Sequence, residues 1–150
     1  PILKKQLKDG KKFMITDPNM TRFNLTRNEC IESVIWTLKR SVGGEIIIKK
    51  SPSYRLIDLA KSISAKNKIK IIGLRPGEKM HEELISNSSN YLIFEKENYY
   101  ILIDKVLNEK VNKIKNRLNL KKQIKPFSYN SGDNNKFLNQ KELKNLIQDI

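Results

Sequence analysis

Apolar residues recur along the chain at two spacings, one typical of helices and one of strands, and together they predict an α/β fold. Helices are expected at segments 2–9, 27–42, 53–63, 76–85, 107–118 and 139–150. Strands are expected at 13–16, 20–25, 45–49 and 68–73, with a hairpin formed by 91–94 and 99–103. The order strand, helix, strand between 45 and 73 is the βαβ rhythm of a parallel sheet. We therefore predict two or three parallel strands with short antiparallel additions.

Two of the predicted helices begin with a recognisable capping pattern. Thr26 is followed three residues later by Glu29, the spacing of a capping box, and Asn139 with Glu142 has the same form. The last helix is expected to carry Leu143, Leu146, Ile147 and Ile150 on one face. Cys30 and Trp36 stand within or beside the apolar stripe of the second helix, so both are predicted to be packing residues.

Length and composition limit the class of protein. With 150 residues the chain is expected to form one domain or one piece of a larger domain, and the start at Pro1 without a methionine suggests a fragment. The sequence has no apolar run long enough for a membrane span and no signal peptide, so we expect a cytoplasmic protein without membrane contact. The single Cys30 excludes an internal disulfide, and the lone His81 offers no metal-ligand pattern.

The formal net charge of +14 raises nucleic acid as a partner. The lysines are scattered through nearly every segment and rarely adjacent, which is more typical of solvated faces than of a phosphate-binding stripe. A basic nucleic-acid-binding module is therefore kept only as an alternative of another class. A general attraction for anionic ligands remains.

Three residues have the chemistry of a diphosphate and sugar site. Arg22 lies on a short predicted strand between apolar residues, and Arg75 precedes a predicted helix start, where backbone N–H groups favour an anion. Arginine supplies the planar donor fork that binds phosphate oxygens, and Glu78 could accept hydrogen bonds from ribose hydroxyls. The alternative is that Arg22 is an exposed strand residue and that Arg75 pairs with a nearby glutamate. For His81, a surface ion pair with Glu78 or Glu82 is expected.

Motifs for cofactor binding and catalysis are missing from the sequence. It has no Gly-rich GxGxxG fingerprint and no Tyr-x-x-x-Lys pair. No catalytic residue can be assigned to this chain.

Four segments resemble a known family. They are 15–23 (ITDPNMTRF), 44–46 (GEI), 58–60 (DLA) and 71–84 (IIGLRPGEKMHEEL). They resemble the inverting UDP-N-acetylglucosamine 4,6-dehydratases, extended short-chain dehydrogenases/reductases of bacterial polysaccharide and flagellin-sugar biosynthesis. The resemblance runs from residue 1 to about 85, and the polar loop at 128–135 with its following helix is also similar.

The resemblance implies the C-terminal, substrate-binding part of a two-part enzyme, without the Rossmann core. The Rossmann half would bind NADP and carry the catalytic tyrosine and lysine. In this chain, Arg22 and Arg75 would bind the diphosphate, Glu78 the ribose, and the backbone around Met14 and Ile15 the uracil. Residues 1–85 would form the UDP-sugar-binding region, and residues 86–150 an extension with a hairpin, a basic helix, a polar loop and a last helix.

The implied activity is a lyase reaction that gives a 4-keto-6-deoxy sugar with inversion at C5. A UDP-hexose 4-epimerase is the alternative within the same superfamily. The complete enzyme is expected to be a homo-oligomer, and this chain alone is expected to be inactive. An apolar patch that would meet the cofactor half is predicted to be exposed here.

Overall fold

The computed structural model of the chain describes residues 2–88 and 90–148, so the predicted helical residue Ile150 lies outside the described residues. The chain divides into two compact units. Unit 1 consists of Pro1–Asn24, Pro52–Glu82 and Asn130–Ile150, and unit 2 of Leu25–Ser51 and Glu83–Tyr129.

Helices and strands are mixed along the chain, as predicted. The helices are α1 Ile2–Lys8, α2 Arg27–Arg40, α3 Leu56–Ile63, α4 Asn108–Leu118 and α5 Gln140–Gln148. The strands are β1 Phe13–Ile15, β2 Thr21–Phe23, β3 Glu45–Lys49, β4 Ser53–Arg55, β5 Ile69–Ile71, β6 Glu83–Ile85, β7 Tyr91–Lys96, β8 Tyr99–Asp104, β9 Gln123–Ile124 and β10 Tyr129–Asn130.

Unit 1 is built on two short strand pairs. β1 and β5 are parallel, with Phe13 opposite Ile69 and Ile15 opposite Ile71, whereas β2 and β4 are antiparallel. Phe13 and Ile15 are fully buried, and they form a small core with Ala60 of α3. This packing fixes the end of β1, where the candidate site begins.

Unit 2 contains a four-stranded antiparallel sheet in the order β3-β8-β7-β9. The predicted hairpin is confirmed, since β7 pairs with β8 along its whole length. Ile101 and Ile103 of β8 are fully buried against Ile114 and Leu118 of α4. The alternation of apolar residues in β8 therefore places one face of the sheet against the basic helix.

The predicted βαβ unit is wrong in its pairing. β3 is antiparallel to β8, and the parallel partner of β5 is β1, which precedes it by more than fifty residues. Among the described strands, β3 pairs only with β8 and is partly exposed, although its β-branched run is typical of a strand covered on both faces. The β-branched run predicts that this segment is a strand, whereas tertiary packing decides which strand it pairs with.

The helix predicted for 76–85 is also wrong. Pro76 and Gly77 form a turn in which Gly77 has a φ of 78°. The backbone beyond this turn is not helical, and the Met80 carbonyl accepts a hydrogen bond from the Thr21 N–H while the Glu82 carbonyl accepts one from the Ser131 N–H. These bonds replace the intrahelical bonds that the apolar spacing predicts.

Helix α2 has the predicted capping box at Thr26 and Glu29, but its apolar stripe points to solvent. The stripe consists of Ile31, Val34, Ile35 and Leu38, and Leu38 is 78% exposed. Trp36 packs on the opposite face, where its ring stacks on Tyr99 at 4.4 Å, as predicted for a packing residue. The prediction that Cys30 is packed is wrong, since its side chain is exposed. These four side chains are exposed, and an apolar patch that meets the cofactor half stays a prediction.

Among the residues described by the structure, no helix is both long enough and apolar enough to cross a membrane.

Candidate functional site

The candidate site begins where β1 and β5 end side by side. The Ile15 carbonyl accepts a hydrogen bond from the Ile72 N–H at 2.9 Å, and the Thr16 carbonyl accepts one from the Gly73 N–H at 3.1 Å. These bonds continue the parallel ladder beyond the strands. They bring the segment that carries Arg75 next to the end of β1.

A tight turn orients Arg75 and Glu78. The Glu78 N–H donates to the Arg75 carbonyl at 3.0 Å, and Pro76 followed by Gly77 at φ 78° has the form of a type II turn. One Glu78 carboxylate oxygen accepts from the Arg75 backbone N–H at 3.3 Å. The other accepts from the buried Thr16 hydroxyl at 3.2 Å. The carboxylate is therefore held in place, and each oxygen keeps a lone pair for a further donor.

Arg22 projects from β2 and is held by the segment that follows the turn. Its Nη1 donates to the carbonyl oxygens of Thr21, at 2.7 Å, and Met80, at 3.3 Å. Its Nε lies 3.4 Å from a Glu82 carboxylate oxygen, and the Arg22 side chain is 22% exposed. Burial raises the pKa of the Tyr54 phenol, which lies opposite Arg22 in the strand pair, and the Arg22 charge partly offsets that rise.

A pair of buried hydroxyl groups supports the same segment. Thr21 Oγ1 lies 2.7 Å from Ser131 Oγ and 2.7 Å from His81 Nδ1. The His81 ring lies so close to Gly132 that a Cβ built there would be 2.8 Å from it. The predicted surface ion pair of His81 is wrong, because its ring contacts the Thr21 hydroxyl instead. Gly132 is needed here because a larger residue would displace the ring.

All five predicted site residues belong to unit 1. In the part of the chain that the structure describes, the Arg75 guanidinium has no hydrogen-bond or ion-pair partner, and only its backbone bonds to Glu78. The Ile15 side chain is fully buried and its carbonyl is committed to Ile72. Met14 is 50% exposed, and its N–H donates to the Gln6 side chain at 3.2 Å. Of the two predicted arginines, Arg75 is thus the one more open to a ligand.

Sequence reasoning missed four residues that shape the site, namely Thr16, Thr21, Glu82 and Ser131. Ser131 lies 110 positions from Thr21, and no local pattern connects the two. A signal existed for Thr16, the last residue of the predicted strand that carries Met14 and Ile15, and Thr21 and Glu82 lie within the segments that resemble the family. The described residues contain no group of His, Cys, Asp and Glu side chains that could hold a metal ion.

Comparison with known proteins identifies the family. The family model described as "Polysaccharide biosynthesis protein" matches residues 1–104. The chain belongs to this family. A UDP-N-acetylglucosamine 4,6-dehydratase (inverting) of Campylobacter jejuni is 37% identical over 161 aligned positions, which cover 98% of this chain and 46% of that protein. A UDP-glucose 4-epimerase of Rickettsia akari is 32% identical over 152 positions, covering 98% of this chain and 44% of that protein.

A solved structure has the same fold. The X-ray structure of Pen from Bacillus thuringiensis matches with a TM-score of 0.79 and 30% identity, covering all of this chain and 44% of Pen. The predicted fold class, part of an extended short-chain dehydrogenase/reductase, is confirmed by this likeness and by the mixed helices and strands. The chain spans about half the length of the relatives that it matches.

Family membership implies a nicotinamide cofactor, and the residues of this chain do not fit one. The six glycines stand at 10, 43, 44, 73, 77 and 132, and none of them forms the fingerprint that holds a dinucleotide pyrophosphate.

Proposed function

We propose that this chain is the nucleotide-sugar-binding portion of a UDP-N-acetylglucosamine 4,6-dehydratase (5-inverting). The observation that carries the proposal is the network joining the end of β1, the Arg75–Glu78 turn and the segment beside Arg22. It gathers an open guanidinium, a half-buried guanidinium and a fixed carboxylate in one unit. That set of groups has the chemistry to bind a diphosphate linked to a ribose.

Each group has a proposed task. Arg75 and Arg22 bind the diphosphate oxygens, and Glu78 accepts hydrogen bonds from the ribose hydroxyls. Near Met14, the backbone groups that do not face β5 would contact the uracil, and the exposed Met14 side chain would lie against the base. Ile15 contributes by holding β1 in position, because its side chain is buried and its carbonyl is committed.

In the complete enzyme, the task of this chain is to hold the nucleotide so that the hexose reaches the reaction centre. The proposed cofactor is NADP, bound by a part of the enzyme that is not in this chain, and it would supply the hydride chemistry. We propose residues 1–85 as the UDP-sugar-binding region and 86–150 as the extension. A homo-oligomeric enzyme and a cytoplasmic location also remain predictions.

The test is calorimetric titration of the chain with UDP and UMP. Arg22→Ala and Arg75→Ala should each weaken UDP binding by roughly ten- to a hundred-fold, because each removes charge-assisted hydrogen bonds to phosphate. Arg27→Ala is the matched control, since Arg27 is exposed at the start of α2 in unit 2. It makes the same change in charge and should leave UDP affinity unchanged.

Two results would contradict the proposal. One is a folded chain that binds neither UDP nor UMP. The other is UDP binding that Arg27→Ala weakens as much as Arg22→Ala does, since affinity would then follow net charge alone.

The second candidate is a UDP-hexose 4-epimerase, favoured by the relatives with that name at 31–32% identity. Both candidates require UDP, so the titration does not depend on the choice between them. A titration with UDP-N-acetylglucosamine and UDP-glucose separates them, since the dehydratase predicts tighter binding of the first.

A further inference from the structure

The Arg22 guanidinium has two edges on which an oxyanion can bind through a pair of hydrogen bonds. One edge presents Nη1 and Nη2, and the other presents Nε and Nη2. Nη1 carries two N–H groups, and it donates to the carbonyl oxygens of Thr21 and Met80. The Nη1 atom of the first edge is therefore already occupied by backbone carbonyl oxygens.

The second edge faces a carboxylate. A Glu82 carboxylate oxygen lies 3.4 Å from Nε, in an ion pair whose side chains are 22% exposed for Arg22 and 44% for Glu82. A carboxylate and a phosphate bind the same guanidinium fork with the same geometry. The Glu82 carboxylate thus lies where phosphate oxygens would bind to Arg22.

The backbone of Glu82 is fixed although its side chain is partly exposed. Its N–H donates to Ser131 Oγ at 2.9 Å, and its carbonyl accepts from the Ser131 N–H at 2.8 Å. Ser131 is fully buried and also lies 2.7 Å from the Thr21 hydroxyl, on the residue before Arg22. This arrangement keeps Glu82 beside Arg22, while rotation of the exposed side chain can release the guanidinium.

We propose that the Glu82 carboxylate occupies the phosphate-binding edge of Arg22 in the free chain, and that the diphosphate displaces it. The inference rests on the proposed function, because it concerns the same site. Glu82 then lowers the affinity for every anion that binds Arg22. A diphosphate overcomes this competition because it also contacts Arg75, whose guanidinium needs no such release.

The experiment compares Glu82→Gln with the wild-type chain in calorimetric titrations with inorganic pyrophosphate and with UDP. Removing the competing charge should tighten both ligands by roughly two- to five-fold, the range expected for a partly exposed ion pair. Glu83→Gln is the matched control. It makes the same change in the adjacent residue, whose carboxylate accepts from the Ser128 hydroxyl and not from Arg22, so its affinities should equal those of the wild type.

A spectroscopic measurement tests the contact without relying on affinity. The NMR signal of the Arg22 Nε–H group should shift in Glu82→Gln and stay unchanged in Glu83→Gln. Pyrophosphate added to the wild-type chain should shift the same signal. An Arg22 signal that neither Glu82→Gln nor pyrophosphate moves overturns the inference.

The possible outcomes separate this inference from the proposed function. If Arg22→Ala impairs UDP binding but Glu82→Gln does not improve it, the inference is wrong and the UDP site stands. If Glu82→Gln tightens pyrophosphate but the chain does not prefer UDP to pyrophosphate, the inference stands and the proposed nucleotide specificity is wrong. If no variant binds either ligand, both are wrong.

Discussion

The Glu45 carboxylate, at the start of β3, closes the two-glycine turn that follows α2. It accepts hydrogen bonds from the Val42 N–H at 2.7 Å and the Gly43 N–H at 2.9 Å. Burial by itself raises the pKa of this carboxyl, but the backbone bonds and the Ser41 hydroxyl together hold it below its ordinary value. Gly43 and Gly44 both have a φ of 103°, a conformation that side chains disfavour. A local turn and one carboxylate thus fix the entry into β3.

This residue gives a pH-dependent stability. A pKa that is lower in the folded chain means that Glu45 stabilises the fold above the unfolded value of 4.5, and that this stabilisation is lost as the pH falls through the folded value. Glu45→Gln should lower the free energy of unfolding by about 1 kcal/mol or less near neutral pH. Urea unfolding should show that the difference from the wild type shrinks in acid. A Glu32→Gln control, on the exposed face of α2, should show no such trend.

In helix α2, the face that packs in the structure is not the apolar face that the sequence pattern predicts to be covered. Its capping box and its polar and aromatic inner face follow the sequence, with Trp36 stacked on Tyr99 and its indole N–H donating to Glu97 at 3.4 Å. The apolar stripe that contains Leu38 faces outward. An amphipathic pattern predicts that one face is covered, but it does not say by what. That the cofactor half covers this stripe remains a prediction.

Two substitutions on α2 test which face stabilises this chain. Leu38→Lys should change the free energy of unfolding by less than about 0.5 kcal/mol, because the side chain is already exposed. Trp36→Ala should cost at least about 2 kcal/mol, since it removes a stacked and partly buried ring. Thermal and urea unfolding of both variants measure the difference. A loss in Leu38→Lys as large as that in Trp36→Ala would mean that the stripe is covered in this chain.

The whole molecule carries a net charge of +14, and this charge bears on the choice between a UDP site and a nucleic-acid-binding module. Net charge attracts any polyanion at low salt, because binding releases counterions. A site built from Arg75, Arg22 and Glu78 depends on particular groups. Membership of the polysaccharide biosynthesis family favours binding by such particular groups over binding by net charge alone.

The salt dependence of affinity distinguishes a UDP site from a nucleic-acid-binding module. Affinity for a duplex DNA of about 20 base pairs should fall at least ten-fold between roughly 50 and 200 mM NaCl, whereas UDP affinity should fall less, since fewer phosphates are bound. Fluorescence anisotropy for DNA and calorimetry for UDP provide the comparison. Tight DNA binding at the higher salt, unchanged in Arg75→Ala and accompanied by no UDP binding, would favour the nucleic-acid-binding module.

The sequence by itself determined the features that depend on neighbours only a few residues apart. The capping boxes at Thr26 and Asn139 and the hairpin of β7 and β8 are closed by bonds within one short segment. Their residue types are therefore sufficient to predict them. The family motifs likewise point to Arg22, Arg75 and Glu78 through the residue types within two short segments.

Only the tertiary structure decided which distant segments meet. It paired β5 with β1 instead of β3, and it replaced a predicted helix by a non-helical segment bonded to Thr21 and Ser131. It also placed Glu82 on Arg22 and the Thr16 hydroxyl on Glu78. A periodic pattern records which face of an element is apolar. It does not record the partner, because partners are chosen by the packing of segments that lie far apart along the chain.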